Sequence, residues 1–154
     1  RDGCRTPIPW DDGESPNGFT SGKPWLPIKA EQSAHNVAVQ NADPGSLLNF
    51  YRQTLAFRKS HPALFDGDIE FLKTSEPVLA FRRSSADERL LMVFNLSPDG
   101  VSLNISGEGE EIFAQASERR KDSLHLGPNG FACFAETSDA SLAIAGKRRP
   151  RSKV

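Results

Sequence analysis

The stretch Arg5-Thr6-Pro7-Ile8-Pro9-Trp10-Asp11, preceded by Arg1-Asp2-Gly3-Cys4, puts a guanidinium, an indole and carboxylates close together. Pro7 and Pro9 each fix φ and remove a backbone donor, which excludes a helix or an interior strand. The stretch is therefore read as a shaped loop, and shaped loops commonly carry binding. Arg5 offers five donors in a rigid, permanently charged fork. From its type alone it either contacts a polar ligand or pairs with Asp2 or Asp11. Trp10 either stacks on a flat ligand face or anchors its own loop. Asp2 orients Arg5, closes the loop or touches ligand directly. Asp11 and Asp12 are adjacent, so their side chains diverge and do not make a catalytic carboxylate pair.

The remaining chemistry is sparse. His35, His61 and His125 are scattered, and Cys4 and Cys133 lie far apart. None has metal-ligand spacing, so no metal and no cofactor are expected. A Gly-rich phosphate loop and a Gly-x-Ser-x-Gly nucleophile motif are both missing. Five of the 19 bases (Lys147, Arg148, Arg149, Arg151, Lys153) fall in the last eight residues, leaving 14 against 20 acids. An acidic body of that kind argues against nucleic acid, whose main affinity term is phosphate neutralisation. No apolar run approaches the roughly 20 residues that span a bilayer, so no membrane partner is expected. A Cys4–Cys133 disulfide is not expected, and thiols suit a reducing cytoplasm. Asn95-Leu96-Ser97 and Asn104-Ile105-Ser106 match the glycosylation sequon but abut predicted strands and are read as chance. The only Met is Met92, so the chain is expected to begin inside a longer protein.

These residues need elements to hold them. Residues 1–42 read as an irregular loop, interrupted by Pro7, Pro9, Pro16, Pro24 and Pro27, with Phe19 and Trp25 as anchors onto something larger. A helix is predicted over 44–60, with Asp43 as N-cap and Pro44 as first residue. At about 100° per residue, Leu47, Leu48, Tyr51 and Leu55 share a face, widened by Phe50 and Phe57. Arg58 falls within that arc and would need a partner if buried. Pro62 stops the helix. The period then shortens to strands: 69–72, 78–82, 90–94 (apolar on both faces, hence central), 101–105, 124–126 and 131–134. Ser84-Ser85-Ala86-Asp87, Pro98-Asp99-Gly100 and Gly127-Pro128-Asn129-Gly130 read as turns. Residues 107–121 are too polar to assign. The strand spacing predicts a small antiparallel β-sandwich. A lone helix with half its circumference apolar needs a larger partner surface.

Arg5-Thr6-Pro7-Ile8-Pro9-Trp10, Asn17-Gly18-Phe19-Thr20, Lys23-Pro24-Trp25-Leu26-Pro27 and Ser46-Leu47-Leu48-Asn49-Phe50-Tyr51-Arg52 resemble the α-glucosidase and oligo-1,6-glucosidase branch of glycoside hydrolase family 13. Leu90 to Leu96 is similar to the central strand of that family's domain C. The resemblance covers roughly residues 1–136 and implies an α+β fragment: the long loop and last helix of a (β/α)8 barrel, followed by an antiparallel β-domain. The implied organisation is residues 1–63 as the end of the catalytic barrel (substrate loop 1–42, helix 44–60), 64–136 as the C-terminal domain and 137–154 as a flexible basic tail.

By this resemblance the whole protein is a retaining α-glucosidase that removes terminal α-linked glucose from oligosaccharides. Arg5 would reach the glucose in the innermost subsite, with Trp10 and Asp2 as further substrate-binding candidates. The catalytic carboxylates lie upstream in the family and match nothing here, so no catalytic residue is assigned and the chain alone is expected to be inactive. Its expected partners are an α-glucoside substrate and the rest of the barrel. Two alternatives stand beside this: a non-catalytic carbohydrate-binding module and a non-enzymatic relative of the family. The β-region has no Trp or Tyr to form a sugar platform, which weakens the first. If the rest of the barrel is missing, Leu47, Leu48, Tyr51 and Leu55 should be exposed.

Overall fold

A computed structural model describes residues 2–13, 16–137 and 142–145. The chain divides into two compact units, Arg1–Ala56 and Phe57–Val154.

In the first unit the stretch expected to be irregular contains two short helices, α1 (Ala30–Ala34) and α2 (Val37–Ala42). Neither is long enough to show a 3.6-residue pattern. Each is defined by its start instead. The Gln32 side chain accepts the Lys29 N–H ahead of α1 at 3.0 Å. The buried Asn36 caps α2, its Oδ1 accepting the Val39 N–H at 2.9 Å. The third helix, α3, spans Leu47–Ser60 rather than starting at Pro44. Asp43 does not cap it, because its carboxylate closes a tight turn onto the Gly45 N–H at 2.9 Å. The N-cap is Ser46, whose Oγ accepts the Asn49 N–H at 3.2 Å and donates to the Gln40 carbonyl at 2.6 Å. No α3 residue is buried. Leu47, Tyr51 and Leu55 are exposed as expected, and Leu48 is half-buried.

The second unit is an antiparallel sheet of β1 (Asp68–Phe71), β2 (Val78–Ser84), β3 (Arg89–Asn95), β4 (Val101–Ser106), β5 (Glu110–Arg120), β6 (Ser123–Glu136) and β7 (Ala143–Ala145). The strand order is β1-β2-β3-β6-β4-β7, with β5 on the other side of β6. The expected pair of strands at 124–126 and 131–134 is one 14-residue strand. Its first part pairs with β4 and its last part with β3, while β5 follows it throughout. The predicted turn at Gly127–Gly130 is instead a bend within β6. Opposite it, β5 bulges at Ala116, whose φ is 50°, and a bulge bends a strand without ending it. A Cβ on Gly130 would lie 2.7 Å from the Ala116 carbonyl oxygen, so the bend has no room for a side chain there.

The bend turns one curled sheet into two facing layers. Val78, Ala80, Leu91, Val93, Ala132 and Phe134 come from one side, and Leu103, Ile105, Leu124 and Leu126 from the other. As expected, β3 is central. Strand β5 occupies the stretch that was too polar to assign. Much of it is exposed, so its sequence carries little apolar alternation. Of the residues beyond 137, Leu142 is buried in the core and Ala143–Ala145 pair with β4. The basic residues Lys147, Arg148, Arg149, Arg151 and Lys153 lie outside the described residues.

Candidate functional site

The loop of residues 2–13 gets its shape from hydrogen bonds, not from a core. Asp2–Cys4 form a single 3-10 turn that ends with the Arg5 N–H donating to the Asp2 carbonyl at 3.0 Å. The next fixed point is the start of α2. Val37 and Ala38 have no acceptor within their own helix, and they donate to the carbonyls of Pro9 at 3.0 Å and Trp10 at 2.9 Å. From the other side, the Trp10 and Asp11 amides both donate to the Asn17 carbonyl, at 2.7 and 3.2 Å. Asn17 returns its side-chain N–H to the Asp11 carbonyl at 3.0 Å and accepts the Ser33 hydroxyl at 3.1 Å. The tight approach requires Gly18, with φ of 70°, where a Cβ would sit 2.5 Å from an Asp11 carboxylate oxygen. Thr6 accepts the Gln32 side-chain N–H at 2.8 Å.

The candidate binding residues separate on this frame. Arg5 Nη1 lies 4.0 Å from Asp2 Oδ1, with both side chains largely in solvent. The Arg5 guanidinium also lies 5.3 Å from the centroid of the Trp25 ring. The structure therefore brings Arg5, Asp2 and Trp25 together. A guanidinium stacked on an indole keeps its edge donors available, and the stack contributes roughly 0.5–1 kcal/mol at an exposed position. Trp10 sits on the same loop with half its surface exposed and its backbone tied at both ends.

Trp25 and Phe19 were expected to anchor the loop. Trp25 is 83% exposed and Phe19 is also exposed, so neither is buried among the described residues. Trp25 also carries the Arg5 guanidinium on its ring, and its exposure leaves it available to the larger surface onto which an anchor was expected to pack. The sequence holds no local signal for that pairing, because the two residues lie on separate irregular segments. Asp11 is committed to structure, with Oδ1 accepting the Gly13 N–H at 2.9 Å. Arg58 is not a buried arginine seeking a carboxylate. It is exposed, with its guanidinium 4.7 Å over the Phe65 ring.

A groove of about 490 Å³ runs between residues 3–9 and the α1 side chains Glu31 and Gln32, reaching His35. None of Asp2, Arg5 and Trp10 lines it. Among the described residues no group of three or more His, Cys, Asp and Glu could hold a metal ion. No described helix is long and apolar enough to cross a membrane. Cys133 is a buried free thiol. Burial, reinforced by the nearby Glu88 carboxylate, pushes its pKa up to about 12, so it stays protonated and inert. The first sequon is not available for modification: the Asn95 amide is buried and donates to the carbonyls of Asp99 at 2.7 Å and Gly127 at 2.8 Å.

Residues 1–67 match the family model for the catalytic domain of alpha amylase, and residues 69–132 match that for the C-terminal domain of maltogenic amylase. Both stretches are thus similar to proteins of the alpha-amylase family of glycoside hydrolases. Within it, the chain is similar to members of the α-glucosidase and oligo-1,6-glucosidase branch. It is 47% identical over 105 residues to a probable alpha-glucosidase of Rhizobium meliloti, covering 66% of this chain and 18% of that protein. It is 33% identical over 115 residues to a glucan 1,6-alpha-glucosidase of Streptococcus pneumoniae, covering 75% and 21%.

Among solved structures, an alpha-glucosyl transfer enzyme, XgtA, superposes with a TM-score of 0.80 at 45% identity, over 88% of this chain and 26% of that one. The trehalulose synthase MutB from Pseudomonas mesoacidophila superposes with a TM-score of 0.76 at 30% identity, over 87% and 25%. The chain thus spans about a fifth of the length of the curated relatives it matches.

Proposed function

We propose that this chain is the substrate-loop, last-helix and C-terminal-domain portion of a retaining α-glucosidase that releases terminal α-linked glucose from oligosaccharides. The observation that carries the reading is Arg5. It sits on a loop pinned by α2 and stacks on Trp25, with its side chain still 47% exposed. A prepositioned charged fork of this kind can donate to two sugar hydroxyls, or to one hydroxyl and a carboxylate, and such contacts discriminate strongly against sugars lacking the hydroxyl. Asp2 orients Arg5 from 4.0 Å, and the exposed face of Trp10 suits the apolar face of a pyranose.

The second partner is the rest of the barrel, which would carry the catalytic carboxylates. Two uncovered apolar surfaces support this. One is the α3 face of Leu47, Tyr51 and Leu55. The other is the exposed ring of Phe71 at the end of a run of ring contacts in the second unit, Phe71–Phe81–Phe94–Phe131–Phe113–Phe57, with centroid spacings of 4.6–5.9 Å, in which Phe131 is buried and the remaining four rings are half-buried. A cytoplasmic location goes with this reading, supported by the free thiol of Cys133.

The test is hydrolysis of maltose and of p-nitrophenyl α-glucoside by this chain and by a longer chain that includes the complete barrel. The expected result is activity only in the longer protein, reduced about 100-fold or more in kcat/KM by Arg5→Ala. Activity in the 154-residue chain by itself would overturn the reading. Conversion of sucrose to an isomer in place of hydrolysis would move the protein to the synthase side of its relatives.

A further inference from the structure

Glu136 ends β6 with its side chain wholly out of solvent, and Arg82 on β2 reaches it with Nε 2.9 Å from Oε2 and Nη2 3.3 Å from Oε1. Taking such a pair out of water offsets most of its Coulomb gain, so it adds little stability unless its remaining donors and acceptors are also filled. Here the backbone of one residue fills them. Glu136 Oε1 accepts the Leu142 N–H at 2.6 Å, and Arg82 Nη2 donates to the Leu142 carbonyl. The two side chains thus give Leu142 one acceptor and one donor, as a neighbouring strand would. Two further charges flank the couple: Arg89 lies 3.9 Å from Glu136 Oε2, and Glu70 3.9 Å from Arg82 Nη1. The Leu142 side chain is buried in the same core as Leu91, Ile105 and Phe134. Its seat depends on Gly109, where a Cβ would stand 2.7 Å from Leu142 Cδ1. One residue further on, Ala143–Ala145 take up antiparallel pairing with residues 104–106 of β4.

We propose that Arg82, Glu136, the space over Gly109 and the edge of β4 form a binding site for an extended peptide, and that residues 142–145 occupy it as a strap that closes the β-domain. The parts of the site set the class of peptide it takes. The charged couple needs a residue with both N–H and C=O open, which excludes proline there. The space over Gly109 takes an aliphatic side chain of leucine size. The β4 edge takes a short following run able to pair antiparallel. Leu142-Ala143-Ile144-Ala145 meets all three requirements. The strap also replaces the β4 edge over 104–106 with a strand of three residues, and very short edges resist pairing with other chains.

The test is hydrogen exchange at fixed pH in the 154-residue chain, read at residues 142–145 and 104–106 and compared with β3. In the parent the Leu142 amide should exchange far more slowly than an unstructured peptide. Two substitutions attack the site from opposite sides without altering the strap. Arg82→Lys keeps a charge for Glu136 but lacks the planar fork that reaches the carboxylate and the Leu142 carbonyl together. Gly109→Ala leaves every charge in place and intrudes on the Leu142 side chain. Each should speed exchange at both stretches by about ten-fold or more, the loss of a hydrogen bond to a charged group or of a buried contact, while β3 stays protected. A parent Leu142 amide that exchanges as fast as an unstructured peptide would overturn the strap. So would either variant leaving both stretches as slow as in the parent. If Arg82→Lys exposes the whole sheet, β3 included, Gly109→Ala decides by itself.

Discussion

The two units are stabilised by different physics. In the second, the core is apolar and closed: Leu91, Val93, Leu124, Leu126 and Phe134 are fully buried between two layers of one sheet. In the first, where burial is described, only Pro7, Asn36 and Ser46 are buried. Its apolar residues Ile8, Trp10, Phe19, Trp25, Val39, Leu47, Tyr51 and Leu55 are exposed. Each large side chain left in water forgoes roughly 1.5–3 kcal/mol of burial. What orders the first unit is a set of polar ties converging on Asn17, Asn36 and Gln40. Hydrogen bonds can fix a loop's shape, but each contributes only about 1 kcal/mol net. The first unit is therefore specified in shape while its large apolar side chains stay uncovered.

That contrast can be broken from either side. The largest effect is expected from Phe134→Ala, which opens a cavity in the second unit and should cost about 3–5 kcal/mol in urea unfolding. Asn36→Ala should have an intermediate effect. It removes the α2 cap and should cost about 1 kcal/mol, read as faster exchange of the Val37 to Val39 amides with the β-domain unchanged. Leu47→Ala should be the smallest, under about 0.5 kcal/mol in this chain because the side chain is already in water. The same substitution should cost far more in a protein with the complete barrel. A large Leu47→Ala effect in the short chain would mean that α3 already has a covering partner, such as a second copy.

Legibility in the sequence follows the same division. Strand β4 could be read because Val101, Leu103 and Ile105 alternate with polar residues against a closed core, and β2 and β3 because their short apolar runs suit strands covered on both faces. Strand β5 could not, because its outer residues are solvated and bulges at Ile112 and Ala116 break its period. The β6 bend was read as a turn because Gly-Pro-Asn-Gly is turn chemistry. Only the tertiary path of β5 beside it keeps the strand going. Helices α1 and α2 have no apolar stripe and exist through caps and ties to distant residues. At the candidate site, the reach and charge of Arg5 were legible from its type. Its seat on Trp25 was not, since nothing local encodes a contact across twenty residues of irregular chain.

The bend in β6 makes that strand a shared ruler for both layers. Side chains alternate faces with a period of two, so one residue inserted on either side of the bend would turn half of β6 inside out. Leu124 and Leu126, or Ala132 and Phe134, would then face solvent while the other pair stayed in register. Length variation among relatives of this domain should accordingly be excluded from 123–136. It should collect at places that measure nothing, such as the hairpin tip at Lys121-Asp122 and the loop at Pro98-Asp99-Gly100.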